Sequence, residues 1–272
     1  MSGNTEKPEK EEDSQNKSCQ IETETLLDRL HLQGKIQQKL SPADFLQIRP
    51  PVKQIDHVES DKDLAHTFLH RLIMLDYRAR YISVRSSCQI KESFKASSSD
   101  WDVFVSSSVD THKKDKVSVH PMDIQMAVFH YSDSFLKQMM VTKLSQCQYA
   151  LPLLVPDPVT KEIQFPLWTF REITKTWKVT QIKDDSTIVT MKSVPVYKAE
   201  TTLVSFFRLG SLSVSKSQLM NTLINNRHDT FFHRNCPGST KSCYLMDGVA
   251  EIAWYCPAGK PNDAFSDCIA FC

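Results

Sequence analysis

Gly210, Lys216 and Ser217 stand at the first, seventh and eighth places of the run Gly210-Ser211-Leu212-Ser213-Val214-Ser215-Lys216-Ser217. This spacing suits phosphate chemistry. Backbone N–H groups of the turn point inward at phosphate oxygens, the lysine reaches the terminal phosphates, and the hydroxyl holds Mg2+. The sixth place departs from G-x-x-x-x-G-K-[ST], because Ser215 stands where a second glycine is usual. A left-handed backbone there would cost a non-glycine residue on the order of 1–2 kcal/mol. A serine-rich turn that caps a helix and binds nothing fits the same residues.

Such a run acts only if a strand delivers it and a helix receives it. Leu203 to Leu209 is nearly continuous in β-forming apolar residues, which predicts a central strand of a parallel sheet. Leu219, Met220, Leu223 and Ile224 predict a helix over about 217–225. Its N-terminus would add the positive end of its dipole to the phosphate cradle. Val249 to Tyr255 and Ala264 to Cys272 read as two further strands around the turn-rich stretch Pro257 to Asp263.

Upstream the pattern is mainly helical. Leu26, Leu27 and Leu30 share a helical face that Gly34 is expected to end. Ser41, Pro42 and Asp44 form a capping-box start, with Phe45, Leu46 and Ile48 as apolar face and Pro50-Pro51 as stop. Ser60 with Asp61 and Asp63 opens a helix carrying Leu64, Phe68, Leu72 and Leu75, widened by Ala65, Leu69 and Ile73. Residues 86–120 read as a serine-rich loop with a short strand from Trp101 to Val105. Pro121 starts a helix to about Tyr131. Ser132 is expected to cap the next, whose face runs through Phe135, Leu136, Met139, Met140, Lys143, Leu144 and Cys147. Met139 and Met140 are read as core packing. Ala150 to Val155 predicts a buried strand, Pro166 to about Lys178 a helix through Phe170, Ile173 and Trp177, and Ile188 to Met191 and Val194 to Lys198 two strands.

Composition bounds the function. Lys plus Arg is 33 and Asp plus Glu is 32 in 272 residues, a balance that argues against nucleic-acid binding by bulk charge. The short basic run His112 to Lys116 reads as a solvated loop. No stretch reaches the length needed to span a bilayer, and residues 2–18 lack an apolar signal segment, so a cytosolic or nuclear chain is expected. The eight cysteines are then read as reduced thiols. Residues 1–20 form a charged, disordered tail. His233, Cys236, Cys243 and Cys256 have zinc-ligating side chains, but their spacing is irregular and contains no C-x-x-C pair, which argues against zinc.

The chain resembles the interferon-inducible very large GTPase family and its relative, the up-regulator of cell proliferation. The matching residues are Pro121 to Gln125, Ser132 to Leu136, Cys147 to Leu153, Phe165 to Trp168, Ser215 to Gln218, Phe232 to Arg234, Asp247 to Trp254 and Ile269 to Phe271. The match covers residues 120–272 firmly and 21–80 more loosely, where Leu40 to Phe45 resembles the family's short N-terminal helical segment. The family also uses serine before its P-loop lysine, which lowers the objection raised by Ser215.

The resemblance implies an α/β fold: a mainly helical N-terminal region followed by an incomplete P-loop G domain. The expected division is 21–80 helical, 81–120 serine-rich loop, 121–200 family-specific and 201–272 the start of the G domain. It implies GTP held by Gly210, Ser211, Ser213, Val214, Ser215, Lys216, Ser217 and Gln218. Mg2+ would be held by Ser217; Thr240, between the P-loop helix and the next strand, is a candidate switch threonine for the same ion, with an ordinary loop threonine as the alternative reading. Arg234 is a candidate charge-stabilising arginine, with a surface salt bridge as the default reading. Homo- or hetero-oligomers through the G domain follow from the same resemblance. The family's segments beside the terminal phosphate and around the guanine base would lie beyond Cys272, so the chain is expected to be truncated and not to hydrolyse GTP at a useful rate. The contrasting reading is a non-enzymatic interaction protein with a relic site.

Overall fold

The computed structural model describes residues 21–35, 37–46, 58, 60–82, 84, 118–183, 188–207, 215–224 and 228–272. The first helix, α1, covers residues 21–29 and buries Leu26, Leu27 and Leu30 as its periodicity predicts. It ends before Gly34. His31 takes a left-handed φ of 57°, with Leu32 N donating to Leu27 O (2.8 Å) and His31 N to Asp28 O (3.0 Å). That is a Schellman closure with histidine where glycine is usual. Gly34 falls instead in a 3-10 turn, Gln33–Lys35.

Ser41 and Asp44 form the expected capping box, but around a single 3-10 turn, Pro42–Asp44, after which Phe45 is buried and Leu46 exposed. Ile48 and Pro50-Pro51 lie outside the described residues, as does the proposed strand from Trp101 to Val105. Ser60 accepts from Lys62 N and leads through a 3-10 turn into α2, Leu64–Ile73. Its stripe is buried except at the end. Leu75 takes φ 58° as the left-handed residue of a second Schellman closure, formed by Asp76 N to Arg71 O and Leu75 N to Leu72 O.

Helix α3, Pro121–Tyr131, is buried along its whole length. Ser132 does not cap the next helix. Its hydroxyl donates to Val128 O and so closes α3, while Asp133 accepts from Leu136 N and starts α4, Ser134–Gln146. A carboxylate one residue later wins the capping position. This rotation leaves Phe135 at 77% exposure while Leu136, Met140, Val141 and Leu144 pack inward.

Five strands form one sheet: β1 Leu151–Pro156, β2 Ile163–Gln164, β5 Thr202–Val204, β6 Ala250–Tyr255 and β7 Ile269–Phe271, in the order β2-β1-β6-β7-β5. Only β5 and β7 are parallel; the other pairs are antiparallel. The strands β3, Thr176–Lys183, and β4, Ile188–Pro195, make a separate hairpin. This corrects two expectations. The helix expected through Lys178 is a 3-10 segment, Leu167–Glu172, that yields to β3. Thr176, Trp177, Val179, Thr180 and Ile182 prefer the pleated backbone once a partner strand supplies the hydrogen bonds. The two strands expected after Ile188 are one strand followed by a 3-10 turn, Val196–Lys198.

Strand alternation makes the sheet two-faced. Ile252 and Trp254 point into the large core shared with the helices. Ala253 and Tyr255 point the other way, into a smaller core with Phe271 and with Met220 of α5, Lys216–Ile224. The fold is therefore α/β, with the N-terminal helical layer on one face of the sheet and α5 on the other. Among the described residues no helix is long and apolar enough to cross a membrane.

Candidate functional site

β5 is shorter and less buried than its composition suggests. Thr202–Val204 pairs with β7, and Leu203 remains 56% exposed at the end of the strand order. The parallel path continues past the strand, with Cys272 N donating to Val204 O (2.9 Å) and Phe206 N to Cys272 O (3.0 Å). Phe207 is 86% exposed. Leu209, Gly210, Ser211, Ser213 and Val214 lie outside the described residues.

The chain is described again at Ser215, whose hydroxyl accepts a long bond from Gln218 N (3.5 Å) and whose carbonyl accepts from Leu219 N. Lys216 and Ser217 therefore form the first turn of α5, where the helix dipole favours an anion. Parallel neighbours such as β5 and β7 require a crossover connection, and α5 lies within it. Lys216 and Ser217 line an open cavity of about 440 Å³, together with Arg234, Thr240 and Glu251. Lys241 is exposed and does not line it. Gln218 is exposed one residue further along the helix.

Two contacts bring Thr240 to this cavity. Asn221 of α5 is buried and holds Phe231 at both backbone atoms, its Nδ2 donating to Phe231 O and its Oδ1 accepting from Phe231 N, each at 2.8 Å. This fixes the loop that follows α5. Further on, Gly238 takes φ +80°, and a Cβ there would meet Pro121 Cγ at 3.1 Å, so the loop turns tightly against the start of α3. Thr240 then donates its hydroxyl proton to Ser242 O (2.7 Å), which leaves oxygen lone pairs for a cation.

The four zinc-type residues are divided among three places. His233 Nε2 meets Asp229 Oδ1 at 3.1 Å, and Cys236 Sγ accepts from His233 N. Asn235 N donates to His233 Nδ1, which puts the ring proton on Nε2, facing Asp229. Burial pushes the Cys236 thiol up to about 11. Cys243 belongs to a second group, in which Asp123 Oδ1 accepts from Cys243 Sγ, Tyr244 N and Leu245 N. Burial raises the Asp123 carboxyl even so. The third place holds Cys256 beside Cys268.

Sequence spacing did not reveal Glu251 or Arg80. Glu251 Oε1 lies 3.5 Å from Arg80 Nη2, and burial raises the Glu251 pKa against the pull of that guanidinium. Arg80 is fully buried and donates to Gln125 Oε1, Thr230 O and Ala150 O, with its guanidinium 4.2 Å from the Tyr149 ring centroid. No local pattern signals a contact between residues so distant in sequence.

Residues 119–272 match the family model described as up-regulator of cell proliferation-like domain, and residues 23–100 match its N-terminal domain model. Interferon-induced very large GTPase 1 of Mus musculus is 39% identical over 260 residues, covering 90% of this chain and 11% of the relative. Up-regulator of cell proliferation of Bos taurus is 31% identical, covering 86% and 27%. Caspase recruitment domain-containing protein 6 of Homo sapiens is 31% identical, covering 78% and 20%. The chain thus spans about a tenth to a quarter of the length of these relatives. No solved structure matches it.

Proposed function

Because the chain belongs to the up-regulator of cell proliferation-like family, we propose that its C-terminal α/β part binds GTP with Mg2+. The observation that carries this reading is the position of Lys216 and Ser217 at the N-terminus of α5, inside the crossover between parallel strands and facing one cavity with Thr240. The name of the very large GTPase relative supports guanine nucleotide over other phosphate ligands.

In this reading Lys216 neutralises phosphate oxygens, and the first-turn amides of α5 add donors. Gly210, Ser211, Ser213 and Val214 are assigned to the phosphate site by the sequence pattern alone. Ser215 and Gln218 flank the lysine and serine. Ser217 and Thr240 fit Mg2+ as hard oxygen ligands, and when bound the ion would offset phosphate charge.

The test is titration with a fluorescent GTP analogue in the presence of Mg2+. Lys216→Ala should weaken binding about 10- to 100-fold, the scale of one or two charge-assisted hydrogen bonds. Lys241→Ala should leave affinity nearly unchanged, because its charge sits in solvent away from the cavity. Equal effects from the two substitutions, with both variants folded by circular dichroism, would count against the assignment.

A further inference from the structure

Cys256 and Cys268 face each other across β6 and β7. Tyr255 pairs with Ile269 in the antiparallel register, so the cysteines occupy the next opposed position, one residue past β6 and one before β7. Their sulfurs are 3.5 Å apart and share a hydrogen bond. Opposed residues in antiparallel strands have Cα separations of roughly 4.5–5.5 Å, within the range a disulfide bridges. Cys256 is half-buried and Cys268 is buried.

We propose that Cys256 and Cys268 form a redox modification site, a dithiol that hydroperoxides convert to an intramolecular disulfide joining the end of β6 to the start of β7. Cys256 is the nucleophile. The Cys268 thiol lies close enough to its sulfur to donate a hydrogen bond to a Cys256 thiolate, and the Lys175 ammonium, anchored on Trp254 O (2.9 Å), adds positive charge. Both favour the Cys256 thiolate over the opposing effect of burial, whereas Cys268 is pushed above the ordinary thiol range. Burial also raises Cys147, Cys236, Cys243 and Cys272, which keeps these thiols protonated.

The chemistry balances in two steps. With hydrogen peroxide as oxidant, the Cys256 thiolate attacks one peroxide oxygen; an S–O bond forms as the O–O bond breaks, giving a sulfenic acid and a hydroxide that takes up a proton and leaves as water. The Cys268 sulfur then attacks the sulfenic sulfur. The S–S bond forms as the S–O bond breaks, and the second water leaves with the Cys268 proton. Two thiols are oxidised and one peroxide is reduced. A reducing compartment restores the dithiol, so the pair reports oxidant exposure rather than serving as a permanent staple. The pair lies at the opposite end of β6 and β7 from Ala250 and Cys272, which line the cavity, so the modification is separable from the nucleotide site.

The experiment treats the reduced chain with one equivalent of hydrogen peroxide and maps it by non-reducing mass spectrometry. A Cys256–Cys268 linked peptide, cleaved by dithiothreitol, is the expected major product. In Cys268→Ser, dimedone should trap a sulfenic acid on Cys256, while Cys268 in Cys256→Ser should label at least tenfold more slowly. Absence of the linked peptide while other cysteines oxidise would overturn the proposal. Equal dimedone labelling in the two variants would overturn the assignment of the nucleophile. As an independent readout, the alkylation rate of Cys256 against pH should have its midpoint below the ordinary thiol range and move upward in Cys268→Ala. A midpoint indifferent to Cys268 would count against the pair.

Discussion

Arg80 and Glu251 form an ion pair between the helical layer and the sheet, with Nη2 and Oε1 separated by 3.5 Å and both side chains largely withdrawn from solvent. Arg80 also satisfies oxygens of Gln125, Thr230 and Ala150. One guanidinium thus ties the end of the N-terminal segment to α3, to the start of β1 and to a carboxylate lining the candidate cavity. A lysine, with a single point of charge, cannot reproduce that fork.

Arg80→Ala is therefore expected to cost about 3–5 kcal/mol, because Glu251 and three oxygens lose their partner in a buried setting. Arg80→Lys should recover only part of that loss. Glu251→Gln should be milder, since Arg80 keeps its other acceptors. Urea unfolding midpoints of the three variants check the ranking.

His130 should make the fold acid-sensitive. Burial first, then Lys137 and Lys39, hold its pKa down to about 4 from an ordinary 6.5. Between those values the unfolded chain binds more protons than the folded one, so stability falls as pH drops from about 6.5 towards 4. The full effect is on the order of 3 kcal/mol. Asp123 and Glu251, with raised carboxyl pKa values, contribute with the opposite sign. The comparison that isolates the histidine is stability against pH for the native chain and for His130→Leu, whose profile should be flatter across this window.

Leu75→Gly is expected to stabilise the chain by up to about 1 kcal/mol. Leu75 holds a left-handed φ of 58° with 47% of its surface exposed. The backbone strain removed exceeds the packing lost, although greater freedom in the unfolded state trims the gain. Thermal unfolding of the variant tests the sign; a clear fall in Tm would show that the Leu75 side chain matters more than its backbone strain.

Asn221→Ala should destabilise by about 2 kcal/mol, because Phe231 loses partners for a buried N–H and a buried carbonyl together. The same substitution should loosen the loop carrying Thr240 relative to α5. Hydrogen exchange over residues 228–240 is expected to quicken in this variant before exchange in α3 does.

Local regularities were legible in the residues themselves. The stripe of Leu64, Phe68, Leu69 and Leu72, the proline start of α3 and the helix that opens at Lys216 follow from short-range periodicity and from what each residue permits its own backbone. Local rules also misled where a neighbour supplied the deciding interaction. β3 became a strand because β4 lay opposite, and Asp133 displaced Ser132 as the cap. His31, Leu75 and Gln148 took left-handed positions without glycine because hydrogen bonds from the next turn held them there.

The helical stripes and the phosphate-type spacing from Gly210 to Ser217 depend on residues a few places apart, and the balanced charge on composition, so all three can be read along the chain. Folding alone brings Arg80 to Glu251, Thr240 to the cavity that Ser217 lines, and Cys256 opposite Cys268. Each of these meetings depends on how layers and strands pack. Packing rewards the burial and pairing of groups whatever their separation along the chain, so no local pattern records it.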